Sequence, residues 1–370
     1  MKKIAGVMAA AVLCLLLPVQ AQAVSARSAV VIDGATGFVL FDQNADEQLP
    51  MASTTKIMTA ITAIENYDID REYTVKKEYT QVEGSSMYLR EGEDITLRDT
   101  LYGLMLMSGN DAALAVAGEC GGQAHFIGLM NETAARLGLT NTHFDNPNGL
   151  DSETHYTTAR ELAELAAYAM KNEQFREIVG TKSYNEAGRY MKNHNKMLTL
   201  YDGCCGVKTG FTKKSGRCLV SAAERNGRLL VAVTLNAPDD WNDHAAMLDS
   251  AFAQYQPYTL HEAGAILRTQ PIEGGSAASS VLRAGATVEL YLTQREHEML
   301  ETAFVGSRFT YAPVTAGSTY GTVEYRVGDA VLAQDSLTFE TGAALLPEEK
   351  GAPARLIDRL RGLLSPKQDE

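Results

Sequence analysis

The sequence predicts an α/β domain over residues 26–260, followed by a small all-β domain over residues 265–345. Two observations carry this. Apolar β-rich runs stand at both ends of the first stretch with helix-patterned segments between them, and the composition shifts after Tyr258 to a Gly-, Ala- and Ser-rich segment and then strand-like alternation. The chain has 370 residues, 45% hydrophobic and 21% charged, which suits folded domains and excludes global disorder. A net charge of −13 argues against a general nucleic-acid binder, because phosphate contacts need surplus Lys and Arg.

The elements follow in order. Lys2 and Lys3 precede sixteen uncharged residues, Ile4–Val19, and Pro18 and Ala21-Gln22-Ala23 then suit signal-peptidase cleavage after Ala23. An uncleaved anchor is the alternative, since no charge appears before Arg27, but Pro18 and the A-x-A pattern favour cleavage. Residues 1–23 are thus expected to be a signal peptide and the protein to work outside the cytoplasm. Ala29–Asp33 and Phe38–Phe41 flank Gly34–Gly37, a hairpin signal. A helix is expected from Ser53, with Ile57, Ala60, Ile61 and Ile64 at helical spacing. Thr96 and Asp99 offer a capping box for a helix over Leu97–Met107. Gly109 and Asn110 break it, and Asp111–Cys120 resumes as helix until Gly121-Gly122. Thr158–Lys171 reads as amphipathic helix. Gly206–Phe211, Arg217–Glu224 and Leu229–Leu235 read as three strands, and Asp243–Gln254 as a closing helix. In the second domain, Val323, Tyr325 and Val327 share one strand face, with Leu337 and Phe339 beyond Gly328.

Four cysteines remain after cleavage: Cys120, Cys204, Cys205 and Cys218, without C-x-x-C pairs. A disulfide from Cys218 to Cys204 or Cys205 and a set of small buried thiols stand as equal readings.

Three short patterns carry chemistry: Ser53-Thr54-Thr55-Lys56, Ser108-Gly109-Asn110 and Lys208-Thr209-Gly210. Each alone recurs by chance, as Ser183-Tyr184-Asn185 and Lys214-Ser215-Gly216 illustrate. Context separates them. Ser53 opens a helix, where free N–H groups and the dipole favour an oxyanion. Lys56 lies one turn on, on the same stripe as Ile57 and Ala60, and apolar neighbours lower an ammonium's pKa until it can act as a base. The bland readings are an N-cap serine and a snorkelling lysine. Ser108-Gly109-Asn110 sits between two apolar helices, open to a cleft or simply a helix-ending turn. Lys208-Thr209-Gly210 lies in a strand, where Gly210 allows close backbone approach and a cation beside a hydroxyl suits a carboxylate; the alternative is an edge strand defended by lysine.

Together and in this order, the three patterns resemble the active-site set of penicillin-recognising serine enzymes. Thr142–Leu150 (THFDNPNGL), Lys208–Thr212 (KTGFT) and Gly321–Tyr325 (GTVEY) resemble the serine-type D-Ala-D-Ala carboxypeptidases, the low-molecular-mass penicillin-binding proteins. The resemblance implies a transpeptidase/β-lactamase-like domain with an antiparallel sheet and a helical subdomain, then a small β domain. It implies that Ser53 attacks the penultimate D-Ala carbonyl of a peptidoglycan stem peptide and Lys56 accepts the proton. Ser108 relays a proton to the departing amine, Asn110 orients substrate and lysine, Lys208 and Thr209 hold the terminal carboxylate, which implies a preference for a free C-terminus, and Gly210 belongs to the same substrate-binding set. The backbone N–H groups of Ser53 and Phe211 form the oxyanion hole, and β-lactams acylate Ser53. No cofactor or metal is implied.

Three other readings compete. A class A β-lactamase uses an added glutamate, and His143–Asp151 contains none. A zinc D,D-peptidase is disfavoured because His261-Glu262 and His297-Glu298 lack a second histidine at H-E-x-x-H spacing. A catalytically silent wall-binding protein is disfavoured because every expected catalytic residue is present. Finally, residues 347–370 read as a linker and tail. Leu356, Ile357, Leu360, Leu363 and Leu364 line one helical face, and the stretch from Lys350 to Lys367 carries a local charge of +4. That pattern predicts peripheral membrane contact through residues 352–365, or packing back on the β domain.

Overall fold

A computed structural model describes residues 24–186 and 188–347. The expected signal peptide and the amphipathic tail lie outside the described residues. The chain divides into two compact units, the first ending at Tyr255 and the second beginning at Gln256.

The first unit is built on a five-stranded antiparallel sheet. Strands β1 (Ser28–Asp33) and β2 (Val39–Gln43) form the expected hairpin, and β3 (Cys204–Thr212), β4 (Gly216–Arg225) and β5 (Arg228–Leu235) complete the order β2-β1-β5-β4-β3. Its middle strands are apolar on both faces, as the register Val31↔Ala232 and Val220↔Val233 shows, because helices cover both sides. The helix Ala159–Ala169 packs on β1 and β5, and Asp240–Phe252 packs on β4 and β5.

Helix α1 (Lys56–Asn66) is buried from Lys56 to Ile64, so it is a core helix rather than an amphipathic one. It packs against α2 (Leu97–Leu106), α3 (Asn110–Glu119) and α4 (Gln123–Arg136). Thr96 Oγ1 accepts the Asp99 N–H at 3.0 Å, fixing the start of α2 where the capping signal placed it. Thr158 caps its helix in the same way through Glu161 N–H.

In the second unit Val323, Tyr325, Leu337 and Phe339 join Leu282 and Val288 in a separate core. One correction applies. Residues 256–260, expected to end the first domain, pair instead with Val288–Leu292 of the second. The second unit is the expected β domain, and within it Gln294–Glu298 forms a short helical turn, closed by a capping box between Thr293 and Glu296.

Among the described residues Cys120, Cys204, Cys205 and Cys218 are free thiols. Cys204 pairs with Ala223 and Cys218 with Gly210 across the same ladder, so Cys218 stands about 15 Å along the strands from Cys204 and Cys205. A disulfide needs Cα atoms within about 7 Å, which excludes both pairings. Burial pushes the Cys204 and Cys218 thiols up to about 11.

Candidate active site

Ser53 lies in a 3₁₀ turn, Ala52–Thr55, that leads into α1. Its hydroxyl is not an N-cap; it meets Lys56 Nζ at 3.0 Å. Two glycines let the chain close around this turn. A Cβ on Gly149, whose φ is +88°, would stand 2.0 Å from the Ala52 carbonyl oxygen and 2.9 Å from the Ser53 nitrogen. A Cβ on Gly210 would stand 3.2 Å from the Ser53 nitrogen. The close approach that Gly210 permits is therefore made by the Met51–Ser53 backbone itself.

Lys56 is fully buried, which disposes of the snorkelling reading. Nζ lies 2.8 Å from Asn110 Oδ1 and 2.7 Å from the Asn148 carbonyl oxygen. Asn110 Nδ2 donates to the Glu83 carbonyl, so its Oδ1 is the atom turned to the lysine. Desolvation, and then the charge of Lys208, hold the Lys56 pKa well below the ordinary lysine value, with Asp111 opposing more weakly. A neutral amine has two N–H bonds and one lone pair. Asn110 Oδ1 and Asn148 O only accept, so in the neutral form of Lys56 they would take both hydrogens and leave the lone pair to the Ser53 hydroxyl, whereas the ammonium donates to all three. That is the arrangement of a general base beside a nucleophile.

Ser108 occupies the turn between α2 and α3 with φ +58°, a left-handed conformation that costs a serine of order 1 kcal/mol. It is buried and lines a cleft of about 300 Å³ together with Ser53, Thr209, Gly210 and Phe211. Asn110 begins α3. The turn thus ends one helix and brings Asn110 to Lys56 at once. Lys208 is on the edge strand β3 but only 1% exposed, so it is not an edge-defending surface charge. Its Nζ donates to the Thr209 carbonyl at 2.8 Å, and burial lowers its pKa to about 7. Phe211, 66% exposed, stands at the cleft. Ser183–Asn185 forms one strand of a separate hairpin, and Lys214 lies in the β3–β4 turn.

Several contributors escaped sequence reading. Asn148 acts through its carbonyl, which any residue could supply. Asp111 accepts Met87 N–H at 2.9 Å, Leu89 N–H at 3.0 Å and Ser86 Oγ–H at 2.5 Å, tying residues 86–89 down beside Asn110. His155 Nδ1 accepts Asp145 N–H, so its Nε2–H donates to Thr55 Oγ1 at 2.7 Å; desolvation lowers its pKa to about 4 and keeps it neutral. His194, Arg217, Asp240 and Trp241 also line the cleft. Among the described residues no carboxylate hydrogen-bonds to Ser53 or Lys56, and no cluster of three or more His, Cys, Asp or Glu is placed to hold a metal.

Comparison with known proteins identifies the family. The peptidase S11 profile, described as D-alanyl-D-alanine carboxypeptidase, matches residues 17–239. The D-alanyl-D-alanine carboxypeptidase DacF of Bacillus subtilis is 31% identical over 84% of this chain and 83% of its own. DacC of Escherichia coli is 31% identical over 86% of this chain and 84% of its own. Among solved structures, the Streptomyces K15 DD-transpeptidase superposes with a TM-score of 0.61 at 35% identity, covering 64% of this chain and all of that one. Penicillin-binding protein 5 of Haemophilus influenzae shares the fold over 88% of this chain and 99% of its own, with a TM-score of 0.63 and 24% identity. The chain belongs to the D-alanyl-D-alanine carboxypeptidase family of serine peptidases, S11.

Proposed function

We propose that this protein is a serine D-Ala-D-Ala carboxypeptidase that removes the terminal D-Ala from peptidoglycan stem peptides and is acylated by β-lactams. The supporting observation is the buried Lys56 whose two acceptor partners leave its lone pair to Ser53. Ser53 Oγ attacks the carbonyl carbon of the penultimate D-Ala while its proton passes to Lys56 Nζ. The oxyanion is received by the backbone N–H groups of Ser53 and Phe211. The C–N bond then breaks, and the departing amine takes its proton through Ser108. Water hydrolyses the acyl ester, returning Ser53. Asn110 orients Lys56 and substrate, Thr209 and the positive potential of Lys208 receive the terminal carboxylate, and Gly210 keeps the strand close to the nucleophile's turn.

The test is release of D-Ala from a diacyl-D-Ala-D-Ala peptide, with intact-mass measurement of penicillin labelling. Wild type should release D-Ala and gain one penicilloyl group; Ser53→Ala should do neither. Lys56→Arg should also fail to acylate, because a guanidinium does not give up its proton in a protein. Labelling of Ser53→Ala would place the nucleophile elsewhere.

Export, with cleavage after Ala23, would bring the enzyme to the wall at the outer face of the cytoplasmic membrane. The local charge of +4 and the apolar stripe within residues 352–365 support peripheral attachment there. Sedimentation with anionic liposomes should deplete the protein from solution, and truncation before Pro353 should restore it. Binding unchanged by truncation would assign the contact to another surface.

A further inference from the structure

Arg217, Asp240 and Trp241 line the same cleft as Ser53, Ser108 and Thr209. Arg217 pairs with Phe211 across the β3–β4 ladder, and Thr209 pairs with Leu219. Residues two apart on a strand share a face, so Arg217 and Thr209 are diagonal neighbours on the same face, within reach of a long side chain. Lys208 alternates to the opposite face, and its Nζ is already engaged with the Thr209 carbonyl.

Arg217 is held from behind. Asp240 accepts its Nη2–H at 2.7 Å, and the guanidinium lies 5.6 Å from the Trp241 ring centroid. The Asp240 side chain is 3% exposed while that of Arg217 is 42% exposed, so the carboxylate is buried and the guanidinium faces solvent. The Arg217 Nε–H is buried and without a hydrogen-bond partner among the described residues, so the donors open to the cleft are those of the guanidinium's Nη end. A guanidinium can bind two oxygens of a second carboxylate while a first one holds its other edge.

On the carboxypeptidase reading above, we infer that Arg217 is the directed anchor for the α-carboxylate of the departing residue, and that Asp240 is a positioning residue holding it there. The charge balance of the cleft supports this. Burial brings the Lys208 ammonium to about 7, so at neutral pH its charge is partial, whereas a guanidinium stays charged throughout. Lys208 then sets the potential felt by Lys56, and Arg217 supplies the geometry that separates a free C-terminus from a blocked one.

The experiment compares wild type, Arg217→Ala, Arg217→Lys and Asp240→Asn on a diacyl-D-Ala-D-Ala peptide and its C-terminal amide, and on benzylpenicillin and its methyl ester. Arg217→Ala should raise KM for the acid about tenfold or more. It should leave the amide unchanged, so the preference for acid over amide collapses. Its acylation by the penicillin methyl ester should match wild type, showing an intact Ser53 site. Arg217→Lys should recover part of the acid preference, and Asp240→Asn should raise KM for the acid with kcat unchanged. An unaltered acid-to-amide preference in Arg217→Ala would overturn the assignment. So would equal slowing of acid and ester, which marks a merely structural role. Should wild type release no D-Ala, the carboxypeptidase reading fails, yet the penicillin acid and ester arms still judge Arg217 separately.

Discussion

Lys208 and Lys56 are lysines removed from water without a hydrogen-bonded carboxylate, so each costs the folded state free energy. For Lys208 the pH dependence has a definite sign. Its folded pKa is lowered to about 7 from 10.5, so between those values the unfolded chain binds the proton more tightly than the folded one. Stability therefore rises with pH in that window; the penalty is complete below about 7 and fades toward 10.5. Lys208→Met should give an inactive protein that melts higher than wild type at pH 7, with the gap narrowing by pH 10. Thermal unfolding at the two pH values checks this, and a gap that widens with pH would contradict it. At this scale the motif side chains were readable, because Ser53 and Lys56 lie one turn apart and Ser108 and Asn110 share one short turn. What was not readable acts over long separations or through the backbone: the Asn148 carbonyl on Lys56, His155 on Thr55, Asp240 on Arg217. Residue type at those positions carries no local signal.

At the scale of elements, the Ala52–Thr55 turn is tightly enclosed by the loop at Gly149 and the strand at Gly210, and on the proposed mechanism acylation should depend on that enclosure. Gly149→Ala combines an unfavourable φ of +88° with a Cβ 2.0 Å from the Ala52 oxygen, so backbone must move next to Ser53. Gly227→Ala is the matched control, with φ +72° and nothing within 4 Å of the new Cβ. The control should lose about 1 kcal/mol of stability and keep its acylation rate. Gly149→Ala should lose more stability and slow acylation by penicillin as well, measured by denaturant unfolding and labelling kinetics. Acylation at the wild-type rate would show that the turn tolerates a displaced loop. Elements with strong local signals were legible: the β1–β2 hairpin, the Thr96 cap, the amphipathic helix after Thr158, and the strands β3–β5. Helix α4 was not, because Gly122 gives no side-chain cap and only Phe126, Met130, Thr133 and Ala134 are buried in fourteen residues. Glu173–Gly180 is short, and its Asn172 cap stands among other polar residues that give it no distinct signal.

For the whole molecule, the question is how much of the chain the chemistry requires. Ser53, Lys56, Ser108, Asn110, Asn148, Lys208, Thr209 and Phe211 all belong to the first unit, as does the large core that includes Val30, Ile57, Leu101 and Val220. The second unit has its own core around Leu282, Val323 and Phe339. A unit that buries its own apolar residues is expected to fold alone. Residues 24–255 expressed alone should therefore fold cooperatively and be acylated by penicillin at a rate close to that of the mature chain. Intact-mass kinetics on the two proteins make the comparison. A folded first unit that no longer acylates would mean that the second unit acts on the chemistry itself, and the assignment of the whole reaction to the first unit would have to be abandoned.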